Sequence, residues 1–480
     1  MEVKTSWAVL PAVVLLMASC ANPSGTSKRA PLTEEACPSP TFGPYTYGPD
    51  TLPRAVLPKD PSTWASLPMP LPLEGGDNGD MSTAYSALAM GYYTLRVQKP
   101  PTCMDEERTS MPCYPFQYEY DPRTNTNGDT EMIHRQLVGA LSLTWMYRIS
   151  GRPEFKLAAT SALNTIMLRA KVDRDGHVKI QDLGASSLSA MAMSHLAVLT
   201  GDRSMDTQIR GLGEFLLSKI ADDGRVTMGS VLQWQQLHNA LWRLWEYTED
   251  PRYIDALKRV ARFAYEHRDE RGKKQYFQYP YLYGLWAHEP LTELYRVMPE
   301  EKWIPELVFE VADEVAKKQY TRKNTSHCDW VGGYKPNNGR GHPNWNHTLK
   351  LEATIDAWRM AVLVGDAERV ERYRKSAEAG AAFMMHFQHR AADNSGYAGA
   401  ERAFGGVPLF GDNPRVRIDI PGHGGVAMCK VVEYFGVETV PGAPEPLPSP
   451  APGPDAVEVE APTPDNPTPD KAPAKVGLPI

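Results

Sequence analysis

Ala185–Thr200 reads ASSLSAMAMSHLAVLT, and Tyr253–His267 reads YIDALKRVARFAYEH. The first stretch contains no Asp, Glu, Lys or Arg. The second sets Ile254, Leu257, Val260, Ala261 and Ala264 on one stripe and keeps Lys258, Arg259, Arg262 and Glu266 off it. A helix that is apolar all round must be enclosed on every side, whereas a one-striped helix turns its other face to water. From about residue 81 to residue 436 the two kinds alternate. The simplest architecture that needs such alternation is an all-α closed double ring, with uncharged inner helices and amphipathic outer ones.

The periodicity predicts helices over 81–97, 130–149, 154–170, 185–200, 204–220, 230–248, 252–267, 283–298, 303–318, 347–364, 367–388 and 422–435, every second one apolar. The first of them carries almost no charge and fits the outer role poorly; cover by the preceding linker would account for that. Tight turns join each apolar helix to the charged one after it: Ser150-Gly151-Arg152-Pro153, Thr200-Gly201-Asp202-Arg203, Glu249-Asp250-Pro251-Arg252, Met298-Pro299-Glu300-Glu301 and Val364-Gly365-Asp366-Ala367. Glycine ends one helix in a left-handed conformation, and Asp or Pro begins the next. The opposite connections are long: about 98–129, 171–184, 221–229, 268–282, 319–346 and 389–421. Parallel inner helices would gather all of these at one end of the ring, and long loops over a rigid scaffold are where binding residues usually sit.

With 51 basic against 58 acidic residues the net charge is −7, and no basic stripe appears. Nucleic acid is therefore excluded as the main partner. Trp7–Ala18 is an apolar run of signal-peptide length, too short to span a bilayer. It leads into Met17-Ala18-Ser19-Cys20, which resembles the lipobox of bacterial lipoproteins. That resemblance implies cleavage after residue 19, a lipid on Cys20 and, with Ala21 following, sorting to the outer membrane. The domain expectation is a signal peptide over 1–19, a disordered tether over 20–75, the helical domain over 76–440 and a disordered proline-rich tail over 441–480. An exported protein keeps disulfides. Cys103 and Cys113 bracket a short loop and are candidates for one, worth ~3 kcal/mol at most. With Cys20 lipidated an odd number of cysteines remains, so at least one thiol stays free.

The alternation, together with Gln181-Asp182-Leu183-Gly184-Ala185 opening one inner helix and Arg417-Ile418-Asp419 followed by His423 opening the last, resembles the six-hairpin, (α/α)6 toroid superfamily. That group includes N-acylglucosamine 2-epimerases, glucuronyl C5-epimerases, glycoside hydrolases and polysaccharide lyases. The resemblance implies a sugar cleft at the long-loop end. Neither motif matches a known catalytic signature, so no catalytic residue is carried over.

The long loops concentrate aromatic side chains, among them Tyr118, Tyr120, Tyr279, Tyr283, Trp286, Trp330 and Trp345. Flat rings stack on the apolar face of a pyranose, and they also plug a ring's mouth as ordinary core. Asn127, Asp129 and Glu131 run into the second helix; two carboxylates there suit general acid and base work on a glycosidic bond, or simply cap the helix. Arg415 and Arg417 suit a uronate carboxylate, and Asp419 or His423 a proton transfer. The competing reading is an internal Asp419–arginine salt bridge. His327, Asp329, Trp330, His342 and His347 crowd one loop, but their spacing fits no standard zinc pattern, so neither metal nor cofactor is expected. Asp182 reads as a helix cap, and His134 and His195, on apolar helices, as core histidines.

The resulting expectation is an envelope lipoprotein whose cleft binds a poly- or oligosaccharide and hydrolyses it with paired carboxylates drawn from Asp129, Glu131, Asp329 and Asp419. A uronate lyase or epimerase, and a noncatalytic glycan- or protein-binding lipoprotein, stay open beside it. Convergence of those four acids on one pocket separates the enzyme from the scaffold.

Overall fold

The structure, a computed structural model, describes residues 83–100, 114–128, 132–267, 285–336, 341–389, 396–410 and 413–435, with short strand pairs at 41–42 with 45–46 and at 104–105 with 108–112. The expected signal peptide, the tether apart from the strand pair at 41–46, the tail, the Cys103–Cys113 pair and the residues Asp129, Glu131, Tyr279 and Tyr283 lie outside the described residues.

Twelve long helices are found among the described residues: α1 Thr83–Arg96, α2 Ile133–Ser150, α3 Pro153–Met167, α4 Leu183–Thr200, α5 Asp206–Leu217, α6 Val231–Thr248, α7 Pro251–Glu266, α8 His288–Val297, α9 Trp303–Lys317, α10 Asn346–Val364, α11 Ala367–Phe387 and α12 Asp419–Phe435. The even-numbered helices form the inner ring. Each packs on the next, and α12 returns to α2, which closes the circle. α3, α5, α7, α9 and α11 each pack outside the inner helix before them, and α1 packs outside α12, so the two ends of the domain make the sixth hairpin. The expected all-α toroid is what the chain adopts.

The local reasons are those the sequence predicts. α4 has the length and apolarity of a membrane span, yet 83% of it is buried inside the ring. α7 buries Tyr253, Ile254, Ala256, Leu257, Val260, Ala261 and Ala264, one face only. Gly151, Gly201 and Gly365 end α2, α4 and α10 with φ of +65°, +68° and +74°, a conformation that costs side-chain-bearing residues. Asp250 and Asp366 cap α7 and α11. α12 begins at Asp419, before the predicted start at residue 422, because Pro421 falls in the first turn, where no backbone N–H is needed.

Two expectations need correction, the charge-free inner ring and the strand-free loops. The inner ring is not free of charge: α8, α10 and α12 carry Glu289, Asp356 and Lys430 into the ring's interior, where they pair with one another. Their charges compensate at the axis, so apolar composition was a sufficient reason for burial but not a required one. The linker expected to cover α1 lies, next to that helix, outside the described residues; among the described ones the segment after α11 packs there, where Gln388 bonds Ser86 through both side-chain ends at 2.6 and 3.0 Å and Arg96 donates to the Phe404 carbonyl. Finally, the long loops contain a four-stranded antiparallel sheet, β1 Glu119–Asp121, β2 Thr126–Gly128, β3 Pro408–Phe410 and β4 Asn413–Arg417, in the order β2-β1-β4-β3. Val416 pairs with Tyr120 and Arg417 with Glu119, which ties the loop before α2 to the loop before α12.

Because each short turn joins an inner helix to its antiparallel outer partner, the inner helices run parallel. His134 and Asp182 meet at the starts of α2 and α4, and Arg148 and Glu433 meet near the ends of α2 and α12. The long connections therefore share one end.

Candidate functional site

At that end, four consecutive inner helices, α4, α2, α12 and α10, bring two imidazole–carboxylate pairs within their first two turns. His134 Nε2 lies 2.9 Å from Asp182 Oδ1, and the imidazole is about a fifth exposed. Asp182 also accepts from Ala185 N at 3.0 Å, so the expected cap is present and holds a histidine as well. Gln181 precedes it with a left-handed φ of +47°. Gly184 allows the closeness: a Cβ there would sit 2.6 Å from Gln236 Oε1 and 3.0 Å from His134 Nε2. His134 is thus a rim group, not the core histidine expected. His195 is core, fully enclosed beside Trp145 and Thr144, and burial holds its imidazole well below the ordinary range.

The second pair lies one turn deeper. His423 Nδ1 approaches Glu352 Oε2 to 3.5 Å, and its ring meets the edge of Trp286 at 4.7 Å between centroids. Glu352 Oε2 is buried and has no hydrogen-bond partner among the described residues. Its other oxygen lies 3.5 Å from Lys430 Nζ. Trp286 is fixed in turn by its backbone N–H, which donates to Gln235 Oε1 at 3.2 Å.

Between these pairs stands an arginine–aspartate clasp. Arg417 donates twice to Asp419, at 2.6 and 2.9 Å, Arg135 Nε lies 3.6 Å from the same carboxylate, and Arg135 also bonds the Tyr118 hydroxyl. Arg417 lies over the Trp345 ring at 5.2 Å. This is the internal salt bridge weighed above, and it anchors the start of α12 with a charge-assisted bidentate pair. Arg415 does not join it. Its guanidinium is held on the sheet by Asp121 at 3.1 Å and Glu119 at 3.2 Å. Arg123 and Arg415 together hold the Asp121 carboxyl down at about 2.

The remaining candidates sit elsewhere. Tyr120 is buried, its hydroxyl bonded to Asn125 and the Gly399 carbonyl. Asn127 is exposed and accepts from Arg402. His327 stacks on Trp330 at 3.9 Å, and Trp330 meets Tyr320 and His342. Asp329 in the same turn lies 3.9 Å from His342, its carboxyl pushed up by burial. Cys328 beside it is disulfide-bonded, while Cys429 is free and buried. His347 is held by Tyr334 N and the Gly380 carbonyl, and burial lowers it to about 3. Asp329 and Asp419 share no partner among the described residues. The grouping of metal-type side chains found among those residues, Asp173, Asp175 and His177, closes an exposed hairpin with its own hydrogen bonds.

Sequence reasoning missed Glu352, Lys430 and the exposure of His134. Glu352 sits inside a helix read as apolar, and its spacing from Lys350 and Asp356 looks like ordinary surface charge. The legible signal was Lys350, Glu352, Asp356 and Arg359 in a helix whose place in the alternation is inner. Charges forced inside need partners.

The sequence matches no model of a known protein family, and no curated protein matches it. Solved structures do resemble the fold. An α-1,6-mannanase of glycoside hydrolase family 76 from Salegentibacter sp. HEL1_6 is 13% identical, with 72% of this chain and 97% of that one covered and a TM-score of 0.51. A family 76 α-mannanase from Bacteroides thetaiotaomicron is 12% identical, covering 76% and 98%, with a TM-score of 0.52. A D-mannose isomerase is 15% identical over 72% and 96%, with a TM-score of 0.49. The Salegentibacter enzyme is also known as an inactive variant, two aspartates replaced, in complex with α-1,6-mannotriose. At such identities the mannanases establish a shared fold.

Proposed function

We propose that this chain is a carbohydrate-active enzyme of the bacterial cell envelope, working by general acid–base catalysis with His423–Glu352 and His134–Asp182 at the long-loop end of the ring. The observation that carries the reading is the approach of Glu352 to His423 under Trp286. An imidazole backed by a carboxylate takes and returns a proton near neutral pH. In both pairs one ring nitrogen faces the acid, and the other is proposed to face the sugar. Trp345, not fully buried and beside the Arg417–Asp419 clasp, offers flat apolar surface to such a ligand. This favours proton transfer at a sugar carbon, as in epimerisation, isomerisation or elimination.

Hydrolysis is the second reading. The toroid shared with α-mannanases supports it, as does the position of Asp129 and Glu131 just ahead of α2. The test is to incubate the purified protein in D2O with neutral and uronate oligosaccharides. Deuterium uptake at a ring carbon, or near-ultraviolet absorbance of an unsaturated product, abolished in His423→Ala and Glu352→Gln, is the expected result. New reducing ends without exchange select hydrolysis, and no turnover at all leaves a glycan- or protein-binding role. The run Trp7–Ala18 ahead of Cys20 supports lipid anchoring at the outer membrane. Mass spectrometry of Cys20 and membrane release of Cys20→Ala check it.

A further inference from the structure

We propose that Lys430 is the positioning residue of this site: it holds Glu352 as the anionic partner of His423 from inside the ring, acting on the imidazole only through that carboxylate. The inference rests on the reading of His423–Glu352 as the acid–base pair.

Lys430 has no exposed surface. Its ammonium faces three carboxylates on two neighbouring inner helices: Asp356 Oδ2 at 2.6 Å, Glu289 Oε2 at 2.8 Å and Glu352 Oε1 at 3.5 Å. Two of the three are already taken up by other cations. Glu289 Oε1 accepts from Arg243, and Asp356 Oδ1 lies 3.4 Å from Arg359. Glu352 differs, because among the described residues Lys430 is its one fixed cation, with the His423 ring at its other oxygen. It stands 3.5 Å from both. A buried carboxylate with a single fixed cation depends on that cation for its charge. Removing Lys430 therefore takes away the fixed countercharge that holds the Glu352 carboxylate beside His423.

Other groups around His423 do not serve in this way. Trp286 approaches from the start of α8 and does not titrate. Asp419, one turn back on α12, is committed to Arg417 and Arg135. His134 on α2 is committed to Asp182. Among the described residues Glu352, from α10, is the charged group in contact with the His423 ring.

The sign of one measurement separates this from a plain charge effect. The His423 imidazole is titrated by NMR in the full-length protein, which needs no substrate. If Lys430 acted directly as a nearby cation, Lys430→Met would raise the midpoint relative to wild type. Acting through Glu352, it lowers the midpoint, by about one pH unit, as Glu352→Gln does, and Lys430→Met adds nothing in the Glu352→Gln background. Lys430→Arg restores the wild-type midpoint. Should Lys430→Met not fold, Lys430→Met with Asp356→Asn removes a balanced pair and reads the same quantity. A raised midpoint, or a fall that persists in Glu352→Gln, overturns the proposal. A confirmed shift in a protein without turnover would instead sink the catalytic reading and leave the coupling standing.

Discussion

Asp182 serves two partners with one carboxylate: the backbone of α4 and the imidazole of His134. The roles separate by substitution. Asparagine keeps a cap acceptor, so Asp182→Asn is expected to stay within about 0.5 kcal/mol of wild type, whereas Asp182→Ala loses about 1 kcal/mol. Both variants strip His134 of its anion and are expected to lose turnover together. Thermal unfolding beside the activity assay checks this, and unequal activity losses would tie the residue's importance to capping. Lys430 belongs at the same scale. Its removal leaves Asp356 and Glu289 facing each other without their shared cation, and breaking a buried pair from one side costs about 3–5 kcal/mol. Denaturant unfolding of Lys430→Met measures it. A loss under about 1 kcal/mol would mean that water reaches the axis.

The turns that end the inner helices differ from one another in one instructive way. α2, α4 and α10 close on glycine, but α6 closes on Glu249 with φ +57°. A side chain in that region costs roughly 1–2 kcal/mol. Glu249→Gly is therefore expected to stabilise the protein by about 1 kcal/mol, and Gly201→Ala to destabilise it by a similar amount. Among the described residues a Cβ on Gly201 would meet nothing within 4 Å, so the second cost is conformational and not steric. Paired melting curves give both values, and equal signs would refute the argument. The four-stranded sheet is the element that pattern reading passed over. Its strands are short, although Phe116-Gln117-Tyr118-Glu119-Tyr120-Asp121 and Arg415-Val416-Arg417-Ile418 each show the alternation of a half-buried strand, within loops otherwise rich in Pro and polar residues.

For the molecule as a whole, burial keeps four histidines neutral. His347 is lowered to about 3, His238 and His288 to about 4, and His195 well below its ordinary value, all chiefly through desolvation. Their folded-state values lie below the unfolded 6.5. The stability they contribute is thus complete above about 6.5 and is lost as pH falls toward 4 and 3. Each contributes a slope of up to about 1.4 kcal/mol per pH unit. Unfolding free energies measured from pH 7 to 4 should fall steeply, and a flat profile would show those rings already charged in the fold. Ring closure is the other global property. α1 supplies the outer partner of α12, so deletion through Val97 is expected to abolish cooperative unfolding, as calorimetry would show.

Helix identity, the inner and outer assignment and the end at which the long loops gather were all legible in the sequence, because burial on one side or on all sides leaves a periodic trace in each helix separately. The Asp182 cap was legible for the same reason, being a local hydrogen bond. The pairing of His423 with Glu352, the diversion of Arg415 to Asp121 and the enclosure of Lys430 by Asp356 and Glu289 were decided only by the tertiary structure. Each joins residues far apart in the chain, and only the closure of the ring fixes which side chains share its axis.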